Sequence, residues 1–390
     1  MKITTAVILC LMVMFLVSCS RVQEEKVAEG EAGIDASFFE AYTYVAERTP
    51  LRDVSGTIQG VWTQDGRIYF CYRDYSSSGD GIFVISQTID GLDVRLTMLL
   101  NDADFMIHGF SVSKDNNFML LLSKLDSNTG YEPSIIFCRF DYDGKELNRV
   151  DITKILPQAF SLPDILQVVF TGDSDIVIAT NDTRGIRLLL INNVDMTVGE
   201  LRLGSSNYNN NTLAVLHDGN IAALDEEQGG AMQSEAMLRG IDFGSKSFGE
   251  TYPIIGDSTS ALFSTDSKIP YDVLVSNRDY LYGYDTETNT QTTLLSWMEV
   301  GIDRNIIVYT GMADDGRVLV LTQTGIFAES ETQLYVLTPV LRDEMPEQIT
   351  ITLGGLHITD VTLSAVANYN RESRIYQIEV IDYVQEVGGD

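Results

Sequence analysis

An all-β fold built from a radial repeat is what this sequence predicts, and three observations predict it. Short runs of β-branched and aromatic residues dominate the chain from about residue 38 to 345, and they are separated by Asp/Gly/Asn clusters of the kind that make tight turns. The turn clusters recur at Asp65-Gly66, Asp115-Asn116, Asp173-Ser174, Asp218-Gly219, Asp266-Ser267 and Asp315-Gly316, a near-constant period of 45 to 58 residues. Each turn is followed by an apolar run: RIYFCY, FMLLLS, DIVIAT, NIAALD, YDVLV and RVLVLT. Together these features describe a β-propeller of about six four-stranded blades, with seven as the alternative and a pair of β-sandwiches as the competing fold, which the constant period disfavours.

The N-terminus comes first in the chain and differs from the rest. Met1-Lys2 precedes an almost uncharged stretch, Ile3 to Val17, too short for the roughly 20 residues that cross a bilayer as a helix. It reads as a secretion signal over residues 1–18. Leu16-Val17-Ser18-Cys19 resembles the lipobox of bacterial lipoproteins, which implies cleavage before Cys19 and lipid attachment at its thiol. Residues 19–37 are polar, acidic and small, so they read as a tether. The expected location is the extracytoplasmic face of a bacterial cell membrane, held by the lipid anchor.

Within each repeat a second apolar run follows the first: IFVISQ, SIIFCRF, IRLLLIN, EAMLRGI, YLYGYD and QLYVLTP. A second set of turn signals, Asp90-Gly91, Asp143-Gly144, Asn192-Asn193 and Gly244-Ser245, completes an up-and-down order of four strands. The last repeat lacks an outer strand before Pro346. The stretch AYTYVAERTPL, Ala41 to Leu51, can supply it and so tie the ends of the ring together.

From Glu347 the pattern changes to strand, helix, strand. Val361, Leu363, Val366, Ala367 and Tyr369 share one helical face, Asp360 or Thr362 is placed to cap it, and YQIEVIDY alternates like a strand. A crossover helix implies a parallel pair. Ile349–Leu353, Leu363–Asn370 and Tyr376–Val380 resemble the first β-α-β unit of the extracellular solute-binding proteins that serve ABC importers, with Tyr369 where that family often has Phe. The resemblance covers about forty residues, 346–390, and implies the start of a solute-binding α/β domain, an ABC permease as partner, and a small-molecule, sugar or peptide ligand. No ligand residue is carried over from it.

Charge and residue inventory narrow the function. With 26 Lys and Arg against 56 Asp and Glu the net charge is −30, which repels polyanions and excludes nucleic-acid binding. Of four cysteines, Cys71 and Cys138 remain after the signal and lipid site; both sit in apolar runs, which favours buried free thiols packed like small hydrophobes over the alternative of a disulfide formed in an oxidising compartment. No Cys/His spacing suits a metal, and no acidic loop has the full calcium pattern, so neither metal nor cofactor is expected. The three histidines, His108, His217 and His357, occupy strand and turn ends and read as structural.

Loops after the second strand of each blade share one face by topology. Tyr75, Tyr131 and Arg184 in them are the candidate ligand contacts, since aromatic and Arg side chains concentrate at binding patches. The resulting expectation is a non-enzymatic surface lipoprotein that binds solute for an importer. A tethered propeller acting as an interaction or sensing module, and a propeller hydrolase or lyase with clustered acids at its channel, are the alternatives.

Overall fold

The computed structural model describes residues 41–383 apart from residues 50, 52–56, 75–80, 103, 125–133, 158–164, 172–174, 183–184, 193, 204–211, 229–233, 255–259, 267, 325–330, 357 and 374. Within them lie six four-stranded antiparallel sheets and a two-stranded parallel sheet. Blade one holds β2 (Thr57–Gln64), β3 (Arg67–Asp74), β4 (Gly81–Thr88) and β5 (Val94–Leu100). Blade two holds β6 (Phe105–Val112), β7 (Phe118–Lys124), β8 (Ser134–Phe140) and β9 (Glu146–Asp151). Blade three runs through β10 (Ile165–Phe170), β11 (Ile176–Asp182), β12 (Gly185–Ile191) and β13 (Val198–Arg202), and blade four through β14 (Leu213–Val215), β15 (Ile221–Gln228), β16 (Ser234–Asp242) and β17 (Ser247–Pro253). Blade five is β18 (Ala261–Ser264), β19 (Val273–Ser276), β20 (Tyr280–Asp285) and β21 (Thr290–Ser296).

Blade six takes three strands from the end of the repeat, β22 (Ile307–Met312), β23 (Val318–Thr324) and β24 (Glu331–Leu341), and one from the start of the described chain, β1 (Tyr42–Thr49). β1 pairs antiparallel with β24 from Tyr42 opposite Leu341 to Thr49 opposite Leu334. The AYTYVAERT stretch therefore closes the ring as its sequence suggested, and the blade count is six rather than seven. The first strands of the blades neighbour one another around the ring, with β2 against both β6 and β22.

The apolar runs are continuous because each blade is sandwiched between two others. On β3, Ile68, Phe70 and Tyr72 pack toward blade six while Tyr69 and Cys71 pack toward blade two. On β7, Phe118, Leu120 and Leu122 face blade one and Met119 and Leu121 face blade three. A strand buried on both faces has no polar side to alternate with, which is why RIYFCY and FMLLLS carry so little polarity. Cys71 and Cys138 share the cluster between blades one and two as free thiols, and burial pushes both thiols up, Cys138 to about 12. The Asp65-Gly66 turn has positive φ at both residues, 50° and 67°, the geometry a two-residue hairpin loop needs.

Residues 349–382 form the strand-helix-strand unit: β25 (Ile349–Gly355), α1 (Asp360–Glu372) and β26 (Tyr376–Asp382), with β25 and β26 parallel. The helix is capped by Thr359, whose hydroxyl accepts from the Thr362 N–H, and not by Asp360 or Thr362 as the sequence suggested. Thr359 is the residue that stays extended just outside the first turn, which is where a capping side chain must sit. Asn370 holds the unit together. Its amide accepts from the Ile378 N–H at 2.7 Å and donates to the Ile378 and Met298 carbonyls at 2.9 and 3.1 Å.

Candidate functional site

Four of the six inner strands break register at a matching position. The pairing of β2 slips between Ile58 and Gly60, β6 between Ile107 and Gly109, β10 between Ile165 and Gln167, and β22 between Ile307 and Tyr309. The extra residues are Gln59, His108, Leu166 and Val308. A bulge re-aims a side chain and bends its strand; here all four residues line one end of the central channel, a cavity of about 450 Å³. Close approach of the strands requires the glycines that follow. A Cβ on Gly60 would stand 2.6 Å from Phe110 Cβ, and one on Gly109 2.5 Å from Val168 Cβ.

Among the described residues that line this cavity, none is Asp, Glu, Lys or Arg. Its polar groups are amides, hydroxyls and one imidazole, and several are already committed. Gln167 spans to blade four, donating to the Leu213 carbonyl at 2.9 Å and accepting from its N–H at 2.8 Å. Tyr309 and Thr63 share a hydroxyl–hydroxyl bond of 2.9 Å, which joins blade six to blade one. Among the described residues the side chains of Gln59 and Gln323 make no hydrogen bond, and both line the cavity.

His108 lies 2.8 Å, through Nε2, from the Ser123 hydroxyl. Ser123 is fully buried, so it orients the imidazole and is not placed to attack a solute. Burial lowers the His108 pKa below its ordinary value, which keeps the ring neutral near pH 7 and leaves its second nitrogen as a donor or acceptor.

Below this cavity a second one of about 290 Å³ continues the channel. Trp62, Thr63, Ser264 and Thr265 line both and form the waist between them. At the lower rim the Asp65 N–H donates to Asp266 at 3.0 Å and Lys268 pairs with Asp65 at 3.2 Å, so the turn of blade one reaches blade five past blade six. His217 stands beside them, with Nε2 2.8 Å from the Thr265 hydroxyl and Nδ1 3.4 Å from Asp272. The order hydroxyl, imidazole, carboxylate looks like a hydrolytic relay, but the Thr265 hydroxyl donates to the Tyr271 carbonyl at 2.5 Å. Its oxygen is left to accept from the imidazole, which makes His217 a bridge between blades four and five.

Of the residues singled out from sequence, Tyr75, Tyr131, Arg184, His357 and Cys19 lie outside the described residues. In blades one, two and three the end of the second strand pairs with the start of the bulged first strand. Arg73, next to the end of β3, pairs with Thr57 at the start of β2. Sequence reasoning missed the bulge residues. The repeated Ile-x-Gly of Ile58-Gln59-Gly60 and Ile107-His108-Gly109 was the available signal. Among the described residues no group of three or more His, Cys, Asp or Glu is arranged to hold a metal. A cleft of about 700 Å³ lies elsewhere, between blade five and the strand-helix-strand unit.

No family model matches the sequence, and no curated protein matches it. The comparisons therefore do not support the C-terminal likeness to solute-binding proteins. Solved structures share the fold. The β-propeller domain of the Trilobed protease from Pyrococcus furiosus is 10% identical over 74% of this chain and 84% of that one, with a TM-score of 0.39. A puromycin hydrolase is 16% identical over 81% of this chain, with a TM-score of 0.36, and the match spans 48% of its length. The intramolecular trans-sialidase from Ruminococcus gnavus is 8% identical over 75% of this chain and 96% of that one, with a TM-score of 0.44. The expectation of a non-enzymatic protein is corrected by these neighbours, because the same architecture occurs in peptidases and a sialidase; what they share with this chain is its fold.

Proposed function

We propose that this chain is a lipid-tethered β-propeller at the outer face of a bacterial membrane that takes up a small solute in the bulge-built mouth of its central channel and presents it to an import system. The observation that carries the reading is the set of aligned bulges at Gln59, His108, Leu166 and Val308. Edge distortions of this kind cost pairing in the ladder, and repeating them around one opening builds a lined mouth. The cavity falls within the roughly 300–1,000 Å³ of small-molecule sites. The tether follows from Leu16-Val17-Ser18-Cys19 and the polar stretch after it.

The test is a calorimetric screen of neutral sugars, short peptides and sugar acids against the wild-type protein and Val308→Trp. Val308 is 40% exposed at the mouth, so the larger ring fills the opening without entering a packed core. A solute that binds the wild type and loses binding in Val308→Trp supports the reading. A solute that binds both equally places the site elsewhere.

A further inference from the structure

Building on that reading, we infer that the solute is a neutral saccharide. The chain carries 26 basic and 56 acidic side chains, yet among the described residues none of them lines the upper cavity. A charged solute there would lose its hydration and find no counter-charge among the described lining residues, which disfavours carboxylates, phosphates and ammonium groups. What remains available is complementary to hydroxyl groups. The amides of Gln59 and Gln323 each offer a donor and an acceptor, and the neutral imidazole of His108 offers one or the other through its free nitrogen. A sugar hydroxyl both donates and accepts, so it can satisfy either end of these groups.

The polar groups occupy one arc of the mouth. Gln323, Gln59 and His108 come from blades six, one and two, which are consecutive in the ring. Apolar Leu166 and Val308 stand at the same level, and the Trp62 ring marks the waist beneath. Saccharides have this same division, with hydroxyls around the rim of the ring and C–H groups on its faces, and aromatic rings pack against the latter. A short peptide offers main-chain hydrogen bonds as well, but its charged ends meet no charged partner among the described lining residues.

The experiment uses the intensity and position of Trp62 fluorescence. Trp62 and Trp297 are the only tryptophans, so Trp297→Phe leaves Trp62 as sole reporter. Maltose, cellobiose and chitobiose are titrated against tetra-alanine and glucuronate. At least one disaccharide is expected to give a saturable change that Gln59→Leu weakens ten-fold or more, with glucuronate at least ten-fold weaker than that disaccharide. Gln59 is exposed and bonded to nothing among the described residues, so this variant keeps the fold; His108→Gln, which retains a donor and an acceptor, is expected to weaken binding less. Saturation by tetra-alanine without any disaccharide response overturns the saccharide assignment and leaves the channel reading standing. Silence of Trp62 toward every probe also overturns it, and if calorimetry then finds a solute that Val308→Trp still binds, the channel reading falls too.

Discussion

Removal of the Tyr44 side chain should open the ring. Tyr44 is 5% exposed in the cluster between blades five and six, beside Tyr271, Met312 and Leu337, and its hydroxyl donates to the Gly316 carbonyl at 3.2 Å. It is also the one core residue that β1 contributes to that cluster, so the closing strand is held by this side chain and by its ladder with β24. Truncating a buried aromatic costs about 3–5 kcal/mol, whereas Tyr44→Phe loses one hydrogen bond and about 0.5–1.5 kcal/mol. Against a domain stability of about 5–15 kcal/mol, Tyr44→Ala is a large fraction of the total. Urea unfolding followed through Trp297, which lies in the same cluster, measures both variants. Hydrogen exchange should show β24 losing protection along Leu334 to Leu341 in Tyr44→Ala. A cost within about 1 kcal/mol of the wild type, or unchanged protection of β24, would refute the claim that β1 closes the propeller through Tyr44.

Other perturbations follow from the same contacts. Gly109→Ala places a Cβ 2.5 Å from Val168 Cβ and should cost about 1–3 kcal/mol in urea unfolding, with Val168→Ala restoring part of the loss. Asn370→Ala leaves the half-buried Ile378 N–H without its side-chain partner and should speed hydrogen exchange across β26, at about 1 kcal/mol, while the six blades keep theirs. The His108 pKa is lowered by burial from its ordinary 6.5, so the unfolded chain binds the proton more readily; stability from this group is present above pH 6.5 and is lost as pH falls below it. Denaturant titrations from pH 7.5 to 5 should show a slope that His108→Gln reduces. Cys19→Ala should move the expressed protein from the detergent phase to the aqueous phase in a phase-partition assay.

How far the sequence could be read depended on what each residue was buried against. RIYFCY and FMLLLS were legible as strands because neighbouring blades cover both faces, and the tight turns were legible because Gly66, Gly219 and Gly316 take positive φ. AYTYVAERT was legible as the closing strand because blade six lacked one. The bulges were not, since a single inserted residue shifts the alternation without changing composition, and Leu166 and Val308 look like ordinary strand residues. Gln167 shows the same limit. Nothing local marks an amide that reaches the main chain of Leu213 in the next blade. Thr359 as the helix cap depended on one backbone angle, an extended ψ of 154° just before the first turn.

The most direct measurement is a crystal structure of the protein at saturation with the disaccharide that moves Trp62. The account predicts density above the Trp62 ring, in contact with Gln59 and His108 and bounded by Leu166 and Val308. Density in the cleft between blade five and the strand-helix-strand unit, with the channel mouth unchanged, would contradict it.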